Sequence, residues 1–282
     1  MNYIICSGGL GNQMFQYAYY YACKREKKNV IFDTSYYETN DVHSGYELKK
    51  CFCIEDGCSK KNYFSFFYRL KQRIALKQKK KSFFDVEMES DGHYITVSDI
   101  GNKVCYGYWQ GNSFFEKYSS ELKVIFSFEN ISERTKEVAD KLSEEESVAI
   151  HIRRGDYIGS DDYINLSKTK YYSKALDFLK EKGISYRYYI FSDDIDWCKK
   201  SRLFPDDSMY VDWNTGIRSY EDMYLIQKCK YCILANSSFS WWGGYLGKHE
   251  CVIRPSKYRK NWTFDKDEIL YPKEWIKIEV ED

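Results

Sequence analysis

Short apolar runs alternate with helical stretches in both halves of the chain, which limits the folds it can adopt. In the first half, residues 3–6 have the pattern of a strand, 13–28 that of a helix and 30–33 that of the next strand. In the second half, strands are predicted at 148–152, 186–191, 209–211, 231–234 and 251–253, with helices at 171–182, 194–202 and 219–228. Strands that alternate with helices need right-handed crossover connections, so the pattern predicts parallel sheets.

These two alternating patterns predict an α/β protein with two Rossmann-like lobes that face each other across a cleft. The charged run at 143–146 (Ser-Glu-Glu-Glu) interrupts the pattern, so we expect lobes of residues 1–145 and 146–282. A chain of 282 residues, 43% hydrophobic and 30% charged, is long and apolar enough to bury a core in each lobe.

Charge and cysteine content exclude several classes of protein. Lys and Arg total 43 against 42 Asp and Glu, so the overall charge gives no attraction to nucleic acid. The ten cysteines are scattered, and no apolar stretch has the length of a membrane span, so we expect free thiols in a reducing cytoplasm. The spacing of Cys229 and Cys232 leaves a zinc site as an alternative, provided that Cys51, Cys53 and Cys58 converge on them.

A basic segment in the first half has two interpretations. Residues 60–81 carry nine Lys or Arg and no acid, interleaved with apolar side chains. The segment is either a solvated basic helix or a surface that rests on anionic lipid at the inner face of the membrane.

Two adjacent arginines directly follow the predicted strand at 148–152, within residues 151–157 (His-Ile-Arg-Arg-Gly-Asp-Tyr). Arg153 and Arg154 therefore sit at the carboxyl end of a strand, where open α/β sheets bind their ligands. The planar fork of a guanidinium suits phosphate oxygens. The alternative is that both arginines form structural ion pairs with carboxylates of neighbouring loops.

Three other segments lie at comparable positions. The glycine-rich loop at 8–13 joins the first strand to the first helix, where it either brings the backbone close to a ligand or serves only as a tight turn. It has neither the dinucleotide-binding nor the P-loop spacing, which disfavours an NAD-dependent oxidoreductase and an ATPase. Ser237 and Ser238 follow the strand at 231–234, and Asp193 and Asp194 follow the strand at 186–191. Each pair either contacts a ligand or caps a helix.

Together these segments resemble the bacterial α-1,2-fucosyltransferases of glycosyltransferase family eleven. The resemblance is carried by residues 8–18, 151–157, 192–194 and 236–244, in that order and spacing. It implies a GT-B fold with an amino-terminal acceptor-side lobe and a carboxy-terminal nucleotide-sugar-binding lobe. It also implies GDP-β-L-fucose as donor, a galactose-terminated acceptor fucosylated at its 2-hydroxyl with inversion, and no metal or other cofactor.

The resemblance also assigns roles to individual residues. Arg153 should hold the β-phosphate, Arg154 should support it or the fold, and His151 should help to hold the nucleotide. The contacts expected with guanine and the diphosphate come from Asp194, Ser237, Ser238 and the backbone of Phe239. Gly11 and Asn12 correspond to a loop that reaches the reacting centre in related protein O-fucosyltransferases. Ser7 departs from the lysine often found there, so position 7 has no assigned role.

The sequence leaves open which residue accepts the proton of the acceptor hydroxyl and whether a metal ion takes part. Asp156, Asp161 and Asp162 are candidate general bases, and the spacing of related α-1,6-fucosyltransferases favours Asp161. The Asp194-Ile195-Asp196 sequence matches a D-x-D motif that binds Mn²⁺ in another class of glycosyltransferase. Rival functions are transfer of another GDP-linked 6-deoxyhexose, transfer to a different hydroxyl, and a non-catalytic glycan or nucleotide-sugar binding module.

Overall fold

In a computed structural model of the protein, the described residues are 2–39, 44–55, 86–88, 104–262 and 268–281. The basic segment at 60–81 and Cys58 lie outside them. The chain divides into two compact units, Met1–Ile125 and Phe126–Asp282. Among the described helices, none is both long and apolar enough to cross a membrane.

The amino-terminal unit is built on a parallel four-stranded sheet in the order β2-β1-β4-β3. Its strands are β1 (Asn2–Ile5), β2 (Val30–Asp33), β3 (Val86–Met88) and β4 (Val104–Tyr106). Its helices are α1 (Leu10–Arg25), α2 (Tyr36–Thr39), α3 (Leu48–Phe52) and α4 (Ser119–Ile125), with 3₁₀ turns at Asn112–Phe114 and Glu116–Tyr118.

Helix α1 begins and ends three residues earlier than predicted. The glycine-rich loop is shorter than expected, because Gly9 already occupies the N-cap position before Leu10. At the other end, Lys27 has the left-handed φ of 59°, which stops the helix. The ring of Tyr19 in α1 stacks on that of Trp109 at 4.9 Å between centroids, and both are fully buried. Trp109 therefore belongs to the core of this unit.

The carboxy-terminal unit contains a parallel six-stranded sheet in the order β10-β9-β8-β5-β6-β7. Its strands are β5 (Ser147–Ile152), β6 (Arg187–Ser192), β7 (Met209–Tyr210), β8 (Tyr231–Ile233), β9 (Cys251–Pro255) and β10 (Ile276–Ile278). The helices are α5 (Glu133–Glu144), α6 (Tyr171–Lys180), α7 (Ile195–Ser201), α8 (Tyr220–Ile226) and α9 (Ser238–Leu246), and short 3₁₀ turns include Gly155–Tyr157. All the predicted strands are present, and β10 is an edge strand that the sequence pattern does not reveal.

The boundary between the units lies before α5, earlier in the chain than position 145. Helix α5 belongs to the carboxy-terminal unit because its first turn is tied to α8. The Ser132 hydroxyl, at the N-cap of α5, donates to Glu221 at 2.5 Å, and the Thr135 hydroxyl donates to Asn214 at 3.2 Å. The charged run at 143–146 is therefore the exposed end of a packed helix and its turn into β5.

Because of Asp222, in the first turn of α8, we expect the stability of the folded protein to depend measurably on pH. Burial raises its pKa from 3.8 to about 7, and nearby Glu221 adds to the shift, although Asn214 donates to the Asp222 carboxylate at 2.9 Å. Since the folded-state pKa is raised, the protonated form favours folding, and this contribution is lost as the pH rises from about 4 through 7. We expect Asp222→Asn to raise the Tm by roughly 2–4 °C at pH 8 and to leave it unchanged at pH 4, by differential scanning fluorimetry. An equal shift at both pH values would contradict this assignment.

Candidate active site

The carboxyl ends of three strands meet at the centre of the carboxy-terminal sheet. Strand β5 pairs with β6 on one side and with β8 on the other. Along the chain, β6 and β7 extend the sheet on one side of β5, and β8, β9 and β10 extend it on the other side. The boundary between β5 and β8 is therefore a topological switch point. Ligands of open α/β sheets bind outside the carboxyl ends of the strands at such a point.

Arg153 leaves β5 at this edge and is held by two carboxylates. Its Nε and Nη2 atoms lie 2.9 and 2.8 Å from Oδ1 of Asp156. Its Nη1 atom lies 3.1 Å from Oδ2 of Asp193, and 32% of the side chain is exposed. Arg153 therefore forms ion pairs with the loop carboxylates while part of its side chain remains exposed.

Arg154 has a more buried and more fully bonded side chain. Its Nε atom donates to Asp194 at 3.0 Å and its Nη1 atom donates to the Ser167 hydroxyl at 2.6 Å. The guanidinium carbon lies 3.7 Å from the centre of the Trp197 ring, and 12% of the side chain is exposed. These contacts fit the supporting role for Arg154 better than direct contact with a ligand.

The two aspartates after β6 organise the same loop. Asp194 is the N-cap of α7, with Oδ1 accepting from the Trp197 amide at 3.3 Å, as the capping interpretation predicts. Asp193 accepts the Arg154 amide on Oδ1 at 2.9 Å. Asp194 is 34% exposed, so its carboxylate also remains within reach of a ligand.

His151 is buried beside Arg153 and neutral at physiological pH. Burial, together with the charge of Arg153, lowers its pKa to about 3. Its ring stacks on that of Phe239, with 5.7 Å between centroids, and so joins the end of β5 to the segment after β8. Among the described residues, no group hydrogen-bonds to its buried Nδ1. A buried ring nitrogen without a hydrogen-bond partner is uncommon in folded proteins, which marks His151 as a candidate site residue.

The segment after β8 forms the first turn of α9. Ser237 is the N-cap, and its hydroxyl accepts from the Phe239 amide at 3.3 Å, as the capping interpretation predicts. Ser238 and Phe239 are half-buried. The first turn of a helix has amide groups without intrahelical acceptors, and these favour an anionic ligand.

Asn236 is a structural residue of this site to which the sequence pattern assigned no role. Its side-chain amide donates to the carbonyls of Ile164 at 3.0 Å and Tyr258 at 2.9 Å. Its own carbonyl accepts from the Tyr157 hydroxyl at 2.9 Å. Asn236 thus fixes the loop after β5 to the segment after β9; its place directly after a buried strand was the available signal.

The candidate general bases lie on the loop that follows Arg154. Asp161 and Asp162 are exposed, and the side chain of Asp156 is 60% exposed. The backbone of this loop is held by Lys260, whose amide donates to the Asp162 carbonyl at 2.9 Å and whose ammonium donates to the Ser160 carbonyl at 2.6 Å. The loop is thus anchored while its carboxylates face solvent.

The glycine-rich loop of the amino-terminal unit has a separate arrangement. Gly8 adopts a φ of +80°, and a Cβ there would lie 2.9 Å from Nδ2 of Asn12, so both the turn and the packing require glycine. The Asn12 Oδ1 atom accepts from Gln110 at 2.8 Å. Gly11 is buried in the first turn of α1. Gly8 therefore forms a tight turn, and the Asn12 side chain beside it is half-buried.

Two fully buried glutamines fix this loop, and the sequence pattern gave them no role. Gln13 donates to the carbonyls of Gly8 at 3.0 Å and Gly45 at 2.8 Å. Gln16 donates to the Gly107 carbonyl at 2.8 Å, which ties α1 to the segment after β4. Polar residues on the buried face of a predicted helix were the available signal.

In the parts of the chain that the structure covers, no group of three or more His, Cys, Asp or Glu side chains is arranged to hold a metal ion. Cys229 is buried just before β8, and Cys232 is buried within it. The Cys232 sulfur lies 3.3 Å from Nδ1 of His249, and the same nitrogen lies 2.7 Å from the Cys229 carbonyl. Cys51 and Cys53 belong to the other unit.

Comparison with known proteins identifies the family. The chain is 33% identical over 289 residues to an alpha-1,2-colitosyltransferase of Escherichia coli, covering 97% of each chain. It is 27% identical over 296 residues to the O-antigen biosynthesis glycosyltransferase WbnK of Escherichia coli, covering 91% of this chain and 94% of that protein.

Among solved structures, a mutant of Arabidopsis thaliana FUT1 in complex with GDP is similar with a TM-score of 0.50 and 11% identity. The similarity covers 96% of this chain and 74% of that one. The predicted α/β, GT-B-like fold class is thereby confirmed. The model of glycosyl transferase family 11 matches residues 1–279, and the chain belongs to that family.

Proposed function

We propose that this protein transfers L-fucose from GDP-β-L-fucose to the 2-hydroxyl of a terminal galactoside, with inversion and without a metal ion. The observation that carries the proposal is the convergence at the β5–β8 switch point. Arg153, the buried neutral His151 and the first turn of α9 meet there, in the unit expected to bind the nucleotide sugar. Family membership makes glycosyl transfer the chemistry of the protein.

The reaction places specific demands on these groups. The acceptor oxygen attacks C1 of the fucosyl group from the face opposite the diphosphate, and the C1–O bond to the diphosphate breaks. Negative charge then grows on the departing GDP, where fixed donors stabilise it most effectively. The Arg153 guanidinium and the amides at the start of α9 are such donors. The proton of the acceptor hydroxyl passes to a carboxylate, for which we propose Asp161.

One of the relatives suggests a second candidate for the nucleotide-sugar donor. Colitose lacks the 3-hydroxyl of L-fucose and is otherwise the same sugar, and the relative at 33% identity is named for its transfer. A site that hydrogen-bonds a substrate hydroxyl rejects an analogue without it by about 10⁴–10⁵. The ratio of kcat/KM for the two GDP-sugars therefore decides between the donors.

The direct test is a GDP-release assay with GDP-fucose or GDP-colitose across galactose-terminated acceptors, followed by NMR of the product. We expect acceptor-dependent GDP release with GDP-fucose and an α-1,2 linkage in the product. A higher kcat/KM with GDP-colitose would transfer the proposal to that donor. The absence of GDP release with both donors across the acceptor set would favour a binding module instead.

Catalysis without a metal predicts that activity persists in a chelator. In the proposed mechanism the charge of the departing diphosphate is met by Arg153 and by backbone amides, and Asp194 of the D-x-D sequence already caps α7. We expect the rate in 5 mM EDTA, an excess of chelator, to match the rate without it within about twofold. Complete loss of activity in EDTA with recovery on adding Mn²⁺ would overturn this part of the proposal.

A further inference from the structure

Two carboxylates hold Arg153 from different sides and differ in how firmly they are fixed. Asp193 uses both oxygens: Oδ1 accepts from the Arg154 amide at 2.9 Å and Oδ2 lies 3.1 Å from Nη1 of Arg153. It is 24% exposed. Asp156 reaches the Nε and Nη2 edge of Arg153 through one oxygen and is 60% exposed. Asp193 is therefore the fixed partner, and Asp156 is the one that solvent can replace.

Gly155 allows Asp193 to approach so closely. A Cβ at position 155 would lie 2.6 Å from Oδ2 of Asp193, well inside van der Waals contact. Gly155 has no positive φ that would itself require glycine. The missing side chain therefore makes room for the carboxylate that faces Arg153.

The local charge balance means that removing Asp156 and removing Asp193 should affect ligand binding differently. The cluster of Arg153, Arg154, Asp156, Asp193 and Asp194 holds two positive and three negative side chains. A diphosphate forms a strong contact with Arg153 only if it displaces the carboxylate from one edge of the guanidinium. The edge formed by Nε and Nη2 suits bidentate contact with phosphate oxygens, and Asp156 occupies it.

We infer that Asp193 is a positioning residue that holds Nη1 of Arg153. When Asp156 then releases the opposite edge, formed by Nε and Nη2, that edge points at the β-phosphate of the donor. The inference rests on the proposed function, because it assumes that Arg153 binds a diphosphate. Asp193 does not touch the substrate. It acts by fixing the guanidinium and, through the Arg154 amide, the backbone that carries it.

The test compares two substitutions that each remove one negative charge beside the same arginine. We expect Asp193→Asn to weaken GDP binding by about tenfold, as the loss of a charged hydrogen bond that orients the binding group would, and to leave GMP binding unchanged. We expect Asp156→Asn to bind GDP at least as tightly as the wild type, because it removes a competitor for the guanidinium edge. Isothermal titration calorimetry of the full chain gives the GDP and GMP affinities of the wild type and of both variants.

The two substitutions are expected to change GDP affinity in opposite directions. This distinguishes a positioning role of Asp193 from simple neutralisation of the Arg153 charge. If Asp193 only neutralised Arg153, both substitutions would tighten GDP binding, and that result would overturn the inference. Gly155→Ala provides a second variant, since its Cβ displaces the carboxylate without removing its charge. It should weaken GDP binding in the same way as Asp193→Asn, with far-UV circular dichroism confirming that each variant is folded.

A double-mutant cycle separates failure of the inference from failure of the proposed function. In an Arg153→Ala background, Asp193→Asn should cause no further loss of GDP affinity, because the group that it positions is gone. If Arg153→Ala itself binds GDP as tightly as the wild type, the proposed function fails. If Arg153→Ala weakens GDP binding and Asp193→Asn does not, only the role of Asp193 fails.

Discussion

Replacing Arg153 by alanine is expected to lower kcat for fucosyl transfer by about 10²–10³, the usual cost of removing one fixed donor that stabilises transition-state charge. The effect should fall on kcat as well as on donor affinity, because charge on the diphosphate grows as the C1–O bond breaks. The fold should survive, since Arg153 lies on a loop at the sheet edge and is 32% exposed. Initial rates of GDP release at saturating donor and acceptor measure the effect.

Arg153→Lys should fail almost as badly as Arg153→Ala. A lysine ammonium is a point charge, and it cannot hold Asp193 on one side while offering two parallel donors on another. Arg154 provides the contrast, because it is buried against Trp197 and paired with Asp194. Arg154→Ala should lower the Tm as well as the activity, whereas Arg153→Ala should leave the Tm near that of the wild type. An Arg153→Ala enzyme with near wild-type turnover would remove the centre of the proposed mechanism.

The sequence pattern was sufficient to place the main site loops. Strand β5 is buried along its whole length, so its apolar run is easily recognised, and Arg153 must follow its carboxyl end. The same reasoning places Asp193 after β6 and Ser237 after β8. Since parallel strands share one carboxyl edge, the meeting of these residues follows from strand assignment alone.

The partners of those residues could not be predicted, because they depend on contacts between loops far apart in the chain. The sequence offers several carboxylates that could pair with Arg153 and Arg154, but only the folded backbone brings Asp193 to Arg153 and Asp194 to Arg154. The role of Gly155 depends on the Asp193 side chain, which follows the neighbouring strand β6. The buried glutamines of α1 satisfy backbone carbonyls that no local pattern identifies.

Short and exposed elements were also missed or misplaced. Strand β10 has three partly exposed residues at a sheet edge, so it carries no strong apolar signal. The first turn of α1 contains glycine and asparagine, which have low helix propensity, and tertiary packing overrides that preference. The unit boundary differs from position 145 because α5 packs on α8, a contact that charge patterning along the chain does not report.

Asp161→Asn is expected to lower kcat by about 10²–10⁴, the range for removing a general base that accepts a proton in the transition state. Asparagine keeps the size of the side chain but cannot take the proton of the acceptor hydroxyl. The affinity for GDP should be unchanged, because Asp161 has no part in the Arg153 cluster. Initial rates of GDP release, with GDP affinity measured by calorimetry on the same preparation, separate the chemical step from donor binding.

Asp162→Asn is the matched control for this prediction, since Asp162 is the adjacent carboxylate on the same anchored loop. Its backbone carbonyl accepts from the Lys260 amide, and a side-chain substitution leaves that hydrogen bond in place. The loop should therefore keep its position in both variants, and only the loss of the proton acceptor should reduce the rate. A large loss in Asp162→Asn with near wild-type activity in Asp161→Asn would move the base to Asp162. Full activity in both would leave Asp156 as the candidate, and its release from Arg153 on diphosphate binding would then supply the free carboxylate.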